Sequence, residues 1–326
     1  MTIIKLSNGI EVTSIKDSSI LNSVLSAGVV IEYSCYNGQC GVCKTTLLEG
    51  DVIELQLQLA LTEKDINSKK ILTCCCAPNT DVLIDAEDLS DLKDIEVKTF
   101  PARINRIEKQ TEFILMLELR LPPTAHLNFL EGQYVDITGP QGIKRSYSMA
   151  SSSSENLIKF YIKKIKDGEF SQYWFNDAKE NDLLRIEGPK GTFFLRKPKN
   201  HVLFLATGTG IAPIKAMLDK LSESHHLYRD ITFSLYWGNR YPDEFFWEPN
   251  YTNLNFNYHP VLSRSSDKWT LRNGYIQDRV IDDAYNLQQV QIYACGSLQV
   301  IRDAKILLMA NGLQEKDFYS DAFVSS

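Results

Sequence analysis

The sequence has no apolar run long enough to cross a bilayer. It contains 326 residues, of which 44% are apolar, and its longest apolar stretch, 201–218, is interrupted by Gly208 and Gly210. A membrane-spanning helix needs about 18 or more consecutive apolar residues. The first residues also lack the apolar segment of a secretory signal. These absences predict a soluble, cytoplasmic protein.

An excess of positive charge is also lacking, since the net charge is −6. Nucleic-acid partners are therefore not expected. The acidic excess is local: residues 1–92 carry 13 acidic and 6 basic side chains, a balance of −7, and the remaining residues carry 28 and 29, a balance of +1. This acidic region is either an ordinary solvated surface or a docking face for a basic partner.

Cysteine is scarce outside one segment, because six of the seven cysteines lie between Cys35 and Cys76. Three of them follow the spacing Cys-x4-Cys-x2-Cys, and a fourth comes after a gap of thirty residues. This is the spacing of plant-type 2Fe-2S ferredoxins. The predicted iron ligands are Cys35, Cys40, Cys43 and Cys74.

Glycines within the cysteine loop support the cluster. Gly38 and Gly41 can adopt positive φ angles and let the loop direct its amides at the sulfur atoms. The alternatives are a zinc site and a disulfide loop. Zinc loops favour paired Cys-x2-Cys motifs, and disulfide frameworks are typical of small secreted domains.

The fourth ligand lies in a run of three cysteines. The order Leu72-Thr73-Cys74 resembles the fourth-ligand segment of plant-type ferredoxins, so the ligand is assigned to Cys74. If this segment is extended, neighbouring side chains point to opposite faces. Cys75 is then expected to face away from the cluster, and Cys76 becomes the spare candidate.

The pattern of elements predicts a multidomain fold of α+β and α/β classes. A hairpin over 3–13 and a helix between Ser19 and Gly28 resemble the β-grasp of plant-type ferredoxins, here assigned to residues 1–92. A charged linker is expected at 93–100. Strands broken by proline and glycine predict an antiparallel β-barrel at 101–198. Alternating strands and helices at 199–326 predict a doubly wound parallel sheet, whose ligands bind at the carboxyl ends of the strands.

Two local motifs carry candidate cofactor residues. Alternation along a strand puts Arg145 and Tyr147 on one face, where a guanidinium suits a diphosphate and an aromatic ring suits a flat heterocycle. The turn 207–213 follows a buried strand and leads into a helix, so its glycines let phosphates approach the helix N-terminus. A tight turn without a ligand is the alternative for these glycines.

In this order, the motifs resemble the ferredoxin-NADP reductase superfamily with a plant-type ferredoxin domain placed ahead of the flavin domain. The resemblance implies that the antiparallel barrel at 101–198 is the flavin-binding domain and that the parallel sheet at 199–326 is the nicotinamide-binding domain. The resemblance implies that Arg145 contacts the flavin diphosphate, that Tyr147 packs on the isoalloxazine, and that Ser148 lies near its central nitrogen. It implies a catalytic set of Ser148, Cys295 and Phe323, the last as an aromatic shield of the flavin. The other implied cofactor residues are Gly168, Phe170 and Ser171 for FAD, and Gly208, Thr209, Gly210, Pro213, Cys295 and Gly296 for NADH.

More narrowly, 71–75, 119–125, 293–298 and the terminal segment 318–324 resemble the CDP-6-deoxy-Δ3,4-glucoseen reductase family. That family passes electrons from NADH through FAD and a 2Fe-2S centre to a pyridoxamine-phosphate-dependent iron-sulfur dehydrase in CDP-3,6-dideoxyhexose (O-antigen sugar) synthesis. The resemblance favours NADH, although Arg240 could serve as a phosphate ligand for NADPH.

Two other functions remain open. The first is the reductase component of a ring-hydroxylating dioxygenase or soluble monooxygenase, which shares the same domains. The second is a redox-sensing binding protein, for which the complete flavin and nicotinamide motifs would have no use.

Overall fold

The computed structural model describes residues 2–89, 92–264 and 269–323. The chain divides into two compact units, one ending at Glu96 and the other running from Val97 to Phe323. No helix among the described residues is both long and apolar enough to cross a membrane.

The first unit has a mixed five-stranded sheet in the order β2-β1-β7-β3-β5 and a separate two-stranded sheet, β4-β6. Its strands are β1 (Ile3–Leu6), β2 (Glu11–Thr13), β3 (Lys44–Glu49), β4 (Val52–Glu54), β5 (Lys70–Leu72), β6 (Cys76–Pro78) and β7 (Val82–Ile84). Its helices are α1 (Ile20–Ser26) and α2 (Glu63–Asn67). The predicted hairpin is formed by β1 and β2. Ser19 caps α1 by accepting a hydrogen bond from the Asn22 amide, so the predicted helix start is correct.

The second unit begins with a six-stranded antiparallel sheet in the order β11-β10-β13-β8-β9-β12. These strands are β8 (Lys98–Lys109), β9 (Ile114–Arg120), β10 (Tyr134–Thr138), β11 (Lys144–Ser148), β12 (Ile158–Lys163) and β13 (Leu183–Lys190), with the short helix α3 (Glu169–Gln172). Alternate strand residues are buried and form one apolar core around Leu117, Val135 and Phe160. This is the barrel that the proline and glycine breaks predict.

The first barrel strand starts earlier than the sequence suggests. Lys98 already pairs with Gly188 across β8 and β13, although 93–100 is predicted as a linker. This segment pairs with β13, which lies far along the chain. The charged local sequence gives no sign of that pairing, so it resembles a linker. The exact bounds of the three predicted domains stay predictions.

The last part of the second unit is a six-stranded sheet in the order β17-β16-β15-β14-β18-β19, in which every pairing is parallel. Its strands are β14 (His201–Thr207), β15 (Thr232–Asn239), β16 (Asn255–Leu262), β17 (Arg272–Asn273), β18 (Val290–Ser297) and β19 (Phe318–Phe323). Its helices are α4 (Ile211–Glu223), α5 (Ile276–Asp282) and α6 (Leu298–Ala310). The strand order reverses between β14 and β18, and ligands of such sheets bind outside the strand ends at that point.

Candidate functional site

The four predicted iron ligands lie in two close pairs. The Cys43 and Cys74 sulfur atoms are 3.3 Å apart although thirty-one positions separate them. The Cys35 and Cys40 thiols are within hydrogen-bond reach of each other. A 2Fe-2S cluster takes four cysteine thiolates, two on each iron. The paired thiols fit such a cluster.

Backbone amides of the loop point at these sulfur atoms. The Cys40 amide donates to Cys35 Sγ at 3.4 Å, and the Val42 amide donates to Cys40 Sγ at 3.5 Å. Gly38 and Gly41 have φ angles of 74° and 76°, a region that favours glycine. The loop therefore has the amide donors that the sequence predicts for it.

Each pair contains one acidic thiol. The pKa of Cys35 is lowered to about 5, chiefly by the hydrogen bond between Cys35 and Cys40 and against the opposing effect of burial. The Cys43 thiol likewise lowers the pKa of Cys74 to about 7. The pKa values of the partner thiols Cys40 and Cys43 are raised, chiefly by the same hydrogen bonds. Each pair thus holds one negative charge readily, which favours metal binding because thiolates are the ligands.

A zinc site and a disulfide loop are the alternatives to the cluster. All seven cysteines are free thiols. Across residues 2–89, 92–264 and 269–323, no group of three or more His, Cys, Asp or Glu side chains surrounds a point where one metal ion could sit. A structural zinc ion needs about four such ligands around itself. A dinuclear cluster needs only two thiols at each iron, and the four predicted ligands lie in two pairs.

The expected orientation of the spare thiol is wrong. Thr73, Cys74 and Cys75 form a turn, closed by a 2.8 Å hydrogen bond from the Cys75 amide to the Leu72 carbonyl. Strand alternation therefore does not apply there. Cys75 Sγ lies 3.5 Å from Cys74 Sγ, whereas Cys76 belongs to β6 and pairs with Glu54 of β4. Cys75, not Cys76, is the thiol next to the predicted fourth ligand, Cys74.

The predicted flavin strand is β11, at one edge of the barrel sheet. Arg145 lies opposite Ile137 and Tyr147 opposite Val135, so both residues project from the same side of the strand. The exposed Arg145 guanidinium donates to the Lys144 carbonyl and forms no ion pair with any described residue. It is therefore available to an anionic group.

Tyr147 is packed more deeply than a free aromatic platform. Its ring contacts Phe160, Phe170 and Trp174, and its hydroxyl accepts a 3.0 Å hydrogen bond from the Trp174 indole nitrogen. Burial raises the pKa of Tyr147 to about 12, against the opposing effects of the Trp174 hydrogen bond and the Arg145 charge. The ring is thus held in one orientation by its neighbours.

The second predicted flavin segment surrounds α3. Gly168 precedes this helix, Phe170 is buried in the barrel core, and the Ser171 hydroxyl accepts a 2.8 Å hydrogen bond from the Ile165 amide. The side chains of Phe170 and Ser171 are therefore engaged inside the barrel. If this segment holds a diphosphate, it does so through its backbone amides.

The predicted nicotinamide residues gather where the strand order of the parallel sheet reverses. Gly208, Thr209 and Gly210 form a 3-10 turn after β14, and α4 begins at Ile211 with Pro213 in its first turn. Cys295 and Gly296 belong to the last residues of the neighbouring strand β18. The backbone amides at the start of α4 suit the phosphates of a dinucleotide.

Two glycines let these strand ends touch. A Cβ on Gly210 would lie 2.3 Å from the Cys295 carbonyl oxygen, and a Cβ on Gly296 would lie 2.1 Å from Thr207 Oγ1. Gly296 also has a φ angle of 152°, in the region that L side chains rarely adopt. The close approach of β14 and β18 therefore requires glycine at both positions.

A buried hydrogen bond joins the end of a barrel strand to the edge of the parallel sheet. The Ser148 hydroxyl, at the end of β11, donates to Asp321 Oδ2 of β19 at 3.2 Å, and both side chains are buried. Cys295 lies opposite Asp321 in the pairing of β18 with β19. Burial, followed by the charge of Asp321, raises the pKa of the Cys295 thiol well above its usual value. The thiol is therefore uncharged.

Sequence reasoning missed Asp321. The available signal was an acidic residue within an otherwise strand-like segment, because carboxylates are rarely buried without a partner. The predicted aromatic shield, Phe323, ends β19 beside Ser297 and is 40% exposed. Val324, the last residue of the terminal motif, lies outside the described residues.

Comparisons with known proteins identify the three cofactor domains. Residues 4–79 match the 2Fe-2S iron-sulfur cluster binding domain, residues 101–195 the oxidoreductase FAD-binding domain, and residues 204–305 the oxidoreductase NAD-binding domain. These matches confirm the predicted cofactors.

The chain is also similar to individual proteins along nearly its whole length. It is 39% identical to the CDP-6-deoxy-L-threo-D-glycero-4-hexulose-3-dehydrase reductase of Yersinia pseudotuberculosis, over 98% of this chain and 97% of that protein. It is 29% identical to reductase component 1 of terephthalate 1,2-dioxygenase from Comamonas, over 94% and 93%. Among solved structures, the cytochrome P450 reductase GcoB of Amycolatopsis has the same fold, with a TM-score of 0.74, 21% identity, and 100% and 99% of the two chains covered.

Proposed function

Because this chain belongs to the family of CDP-6-deoxy-L-threo-D-glycero-4-hexulose-3-dehydrase reductases, we propose that it delivers electrons from NADH to the dehydrase of CDP-3,6-dideoxyhexose synthesis. The route runs through FAD and the 2Fe-2S cluster. The acceptor is a pyridoxamine-phosphate-dependent iron-sulfur dehydrase, and the reaction takes place in the cytoplasm.

The observation that carries the electron route is the buried hydrogen bond between Ser148 and Asp321. It joins the barrel, which matches an FAD-binding domain, to the edge of the sheet that matches an NAD-binding domain. A hydride passes only between atoms in near contact. A buried polar contact at this junction supports a site where nicotinamide and flavin approach each other.

The residues at this junction have distinct proposed tasks. Asp321 orients the Ser148 hydroxyl, so that Ser148 can face the flavin ring in a fixed direction. Cys295 presents a small, uncharged side chain beside the path of the nicotinamide. Phe323 covers the same region from the end of β19. When bound, the flavin supplies a carrier that takes two electrons together and releases them singly to the iron-sulfur centre.

The oxygenase-reductase function is the second candidate. The relative from the terephthalate system is 29% identical over 94% of the chain, whereas the dehydrase reductase is 39% identical over 98% of it. The difference favours the dehydrase as the acceptor.

Stopped-flow mixing tests the proposal. The purified protein is mixed with NADH or NADPH, flavin bleaching is recorded, and the reduced protein is then mixed with the dehydrase or with the terephthalate oxygenase. We expect faster reduction by NADH and faster oxidation by the dehydrase. Faster oxidation by the oxygenase would contradict the proposed partner, and flavin that NADH does not bleach would contradict the electron route.

A further inference from the structure

An unusual row of exposed apolar side chains lies beside the cluster-binding loop. Ile53, Leu55, Leu57 and Leu59 are 51%, 48%, 68% and 57% exposed. Ile53 belongs to β4, and the three leucines follow it at every second position in the irregular chain between β4 and α2. Single exposed leucines need no explanation, but four large apolar side chains that are about half exposed or more within seven consecutive residues mark an interaction site. We call these four residues the leucine patch.

The backbone beneath the leucine patch is bonded to both segments that carry the cluster cysteines. The Leu55 amide donates to the Cys75 carbonyl at 2.8 Å, and the Ala60 amide donates to the Gly38 carbonyl at 2.9 Å. A Cβ on Gly38 would lie 2.4 Å from the Leu57 carbonyl oxygen. The segment that carries the patch is therefore bonded directly to both parts of the predicted cluster site.

Two glutamines between the leucines hold the segment in place. Gln56 Nε2 donates to the carbonyls of Tyr36 and Cys74, at 2.9 and 3.1 Å. Gln58 Oε1 accepts from the Leu72 amide at 2.7 Å. The alternation of leucine and glutamine thus has a structural reason. The glutamine side chains bind the segment to the cluster loops, and the leucine side chains remain exposed to solvent.

The charged residues of the segment that carries the leucine patch have one sign. Residues 45–63 include Glu49, Asp51, Glu54 and Glu63 and contain no Lys, Arg or His. All four acidic residues are exposed. Exposed acidic residues of this kind form an acidic rim that attracts a basic surface and steers its approach. The apolar side chains of the leucine patch then exclude water from the contact.

We propose that the leucine patch is the docking surface for the electron-accepting protein, whose own redox centre lies beneath an apolar surface bordered by Lys or Arg. This proposal rests on the proposed function, because that function requires the cluster to pass electrons to a second protein. A small contact of this kind suits an acceptor that must bind and leave at each turnover.

The test replaces two patch residues and compares them with an equally exposed leucine elsewhere. The variant is Leu55→Gln/Leu57→Gln. The matched control is Leu227→Gln, because Leu227 is 67% exposed and belongs to the other compact unit. The measurements are the KM for the dehydrase with NADH in excess, the rate of cluster reduction by NADH without an acceptor, and the iron content.

The expected result is a KM at least about tenfold higher in the double variant, with iron content and acceptor-free cluster reduction unchanged. Leu227→Gln should match the unaltered protein in all three measurements. Raising the salt concentration should increase the KM of the unaltered protein, because its acidic rim is then screened.

Three results would overturn the proposal. An unchanged KM would show that the patch does not bind the acceptor. Slower cluster reduction without an acceptor would assign the patch to electron transfer within the chain. Dissociation of a dimer in the double variant, measured by sedimentation velocity, would assign it to a second copy.

A parallel assay with cytochrome c as acceptor separates this proposal from the proposed function. Cytochrome c is a basic protein with an exposed haem edge, so it should also depend on the leucine patch. If the unaltered protein fails to reduce the dehydrase, the proposed function is wrong. The docking proposal is then supported if the double variant has a raised KM for cytochrome c relative to the unaltered protein, and it is wrong if the two KM values are equal.

Discussion

Replacing Gly210 with alanine is expected to slow hydride transfer from NADH to the flavin by about a hundredfold. Gly210 has a φ angle of −60°, which any residue adopts, so the effect is purely steric. The added Cβ would lie 2.3 Å from the Cys295 carbonyl oxygen and 2.6 Å from its carbon. Both atoms belong to the backbone, and no side-chain rotation relieves the clash.

The size of the effect follows from the distance that must be recovered. Ordinary van der Waals contact begins at 3.4 Å, so the turn after β14 and the end of β18 must separate by about 1.1 Å, which is 3.4 minus 2.3. A misplacement of about 1 Å can lower the rate of a reaction that needs near contact by about a hundredfold. The forced packing should also cost about 1–3 kcal/mol of stability.

The assay is stopped-flow reduction of the flavin at saturating NADH, with a melting curve for each protein. Gly312→Ala is the control, because its Cβ meets nothing within 4 Å and its φ angle of 104° makes it costly only in stability. The reasoning is refuted if Gly210→Ala reduces the flavin within about threefold of the unaltered rate, or if Gly312→Ala is slowed equally.

Four further predictions test the remaining assignments. Cys295→Leu should lower the single-turnover rate of flavin reduction by at least about tenfold, while Cys295→Ala should not; equal rates would reduce Cys295 to a packing residue. Phe323→Ser should change the affinity for NADH or its preference over NADPH, measured by titration, and unchanged binding would exclude the shielding role. Cys35→Ser should remove the visible absorption of the cluster and leave flavin reduction by NADH intact, since the two compact units have separate cores; loss of both signals in folded protein would disprove this independence. Cys74→Ser should retain some iron through the neighbouring Cys75, and the double variant Cys74→Ser/Cys75→Ser should retain none; iron bound equally by both would mean that another residue serves as the fourth ligand.

Local spacing was enough to locate most of the cofactor motifs. The cysteine spacing, the glycine turn after β14 and the alternation in β11 each depend on neighbours within a few positions, where backbone geometry decides which side chains share a face. The resemblance to a known family then assigned these motifs to three domains, and the family matches confirm the cofactor of each domain.

Contacts between distant segments could not be predicted in this way. Asp321 reaches Ser148 across 173 positions, and only the packing of the barrel against the parallel sheet brings the two side chains together. The early start of β8 depends on the pairing of Lys98 with Gly188.

The run of three cysteines shows where prediction from the sequence ends and the tertiary structure decides. The sequence spacing correctly predicted that Cys74 lies near the other thiols. Which of Cys75 and Cys76 lies beside Cys74 depends on whether the chain is extended there. The Cys75 amide bonds to the Leu72 carbonyl, and the Leu55 amide bonds to the Cys75 carbonyl. Those hydrogen bonds turn the backbone, so that tertiary packing rather than strand alternation places the Cys75 thiol beside Cys74.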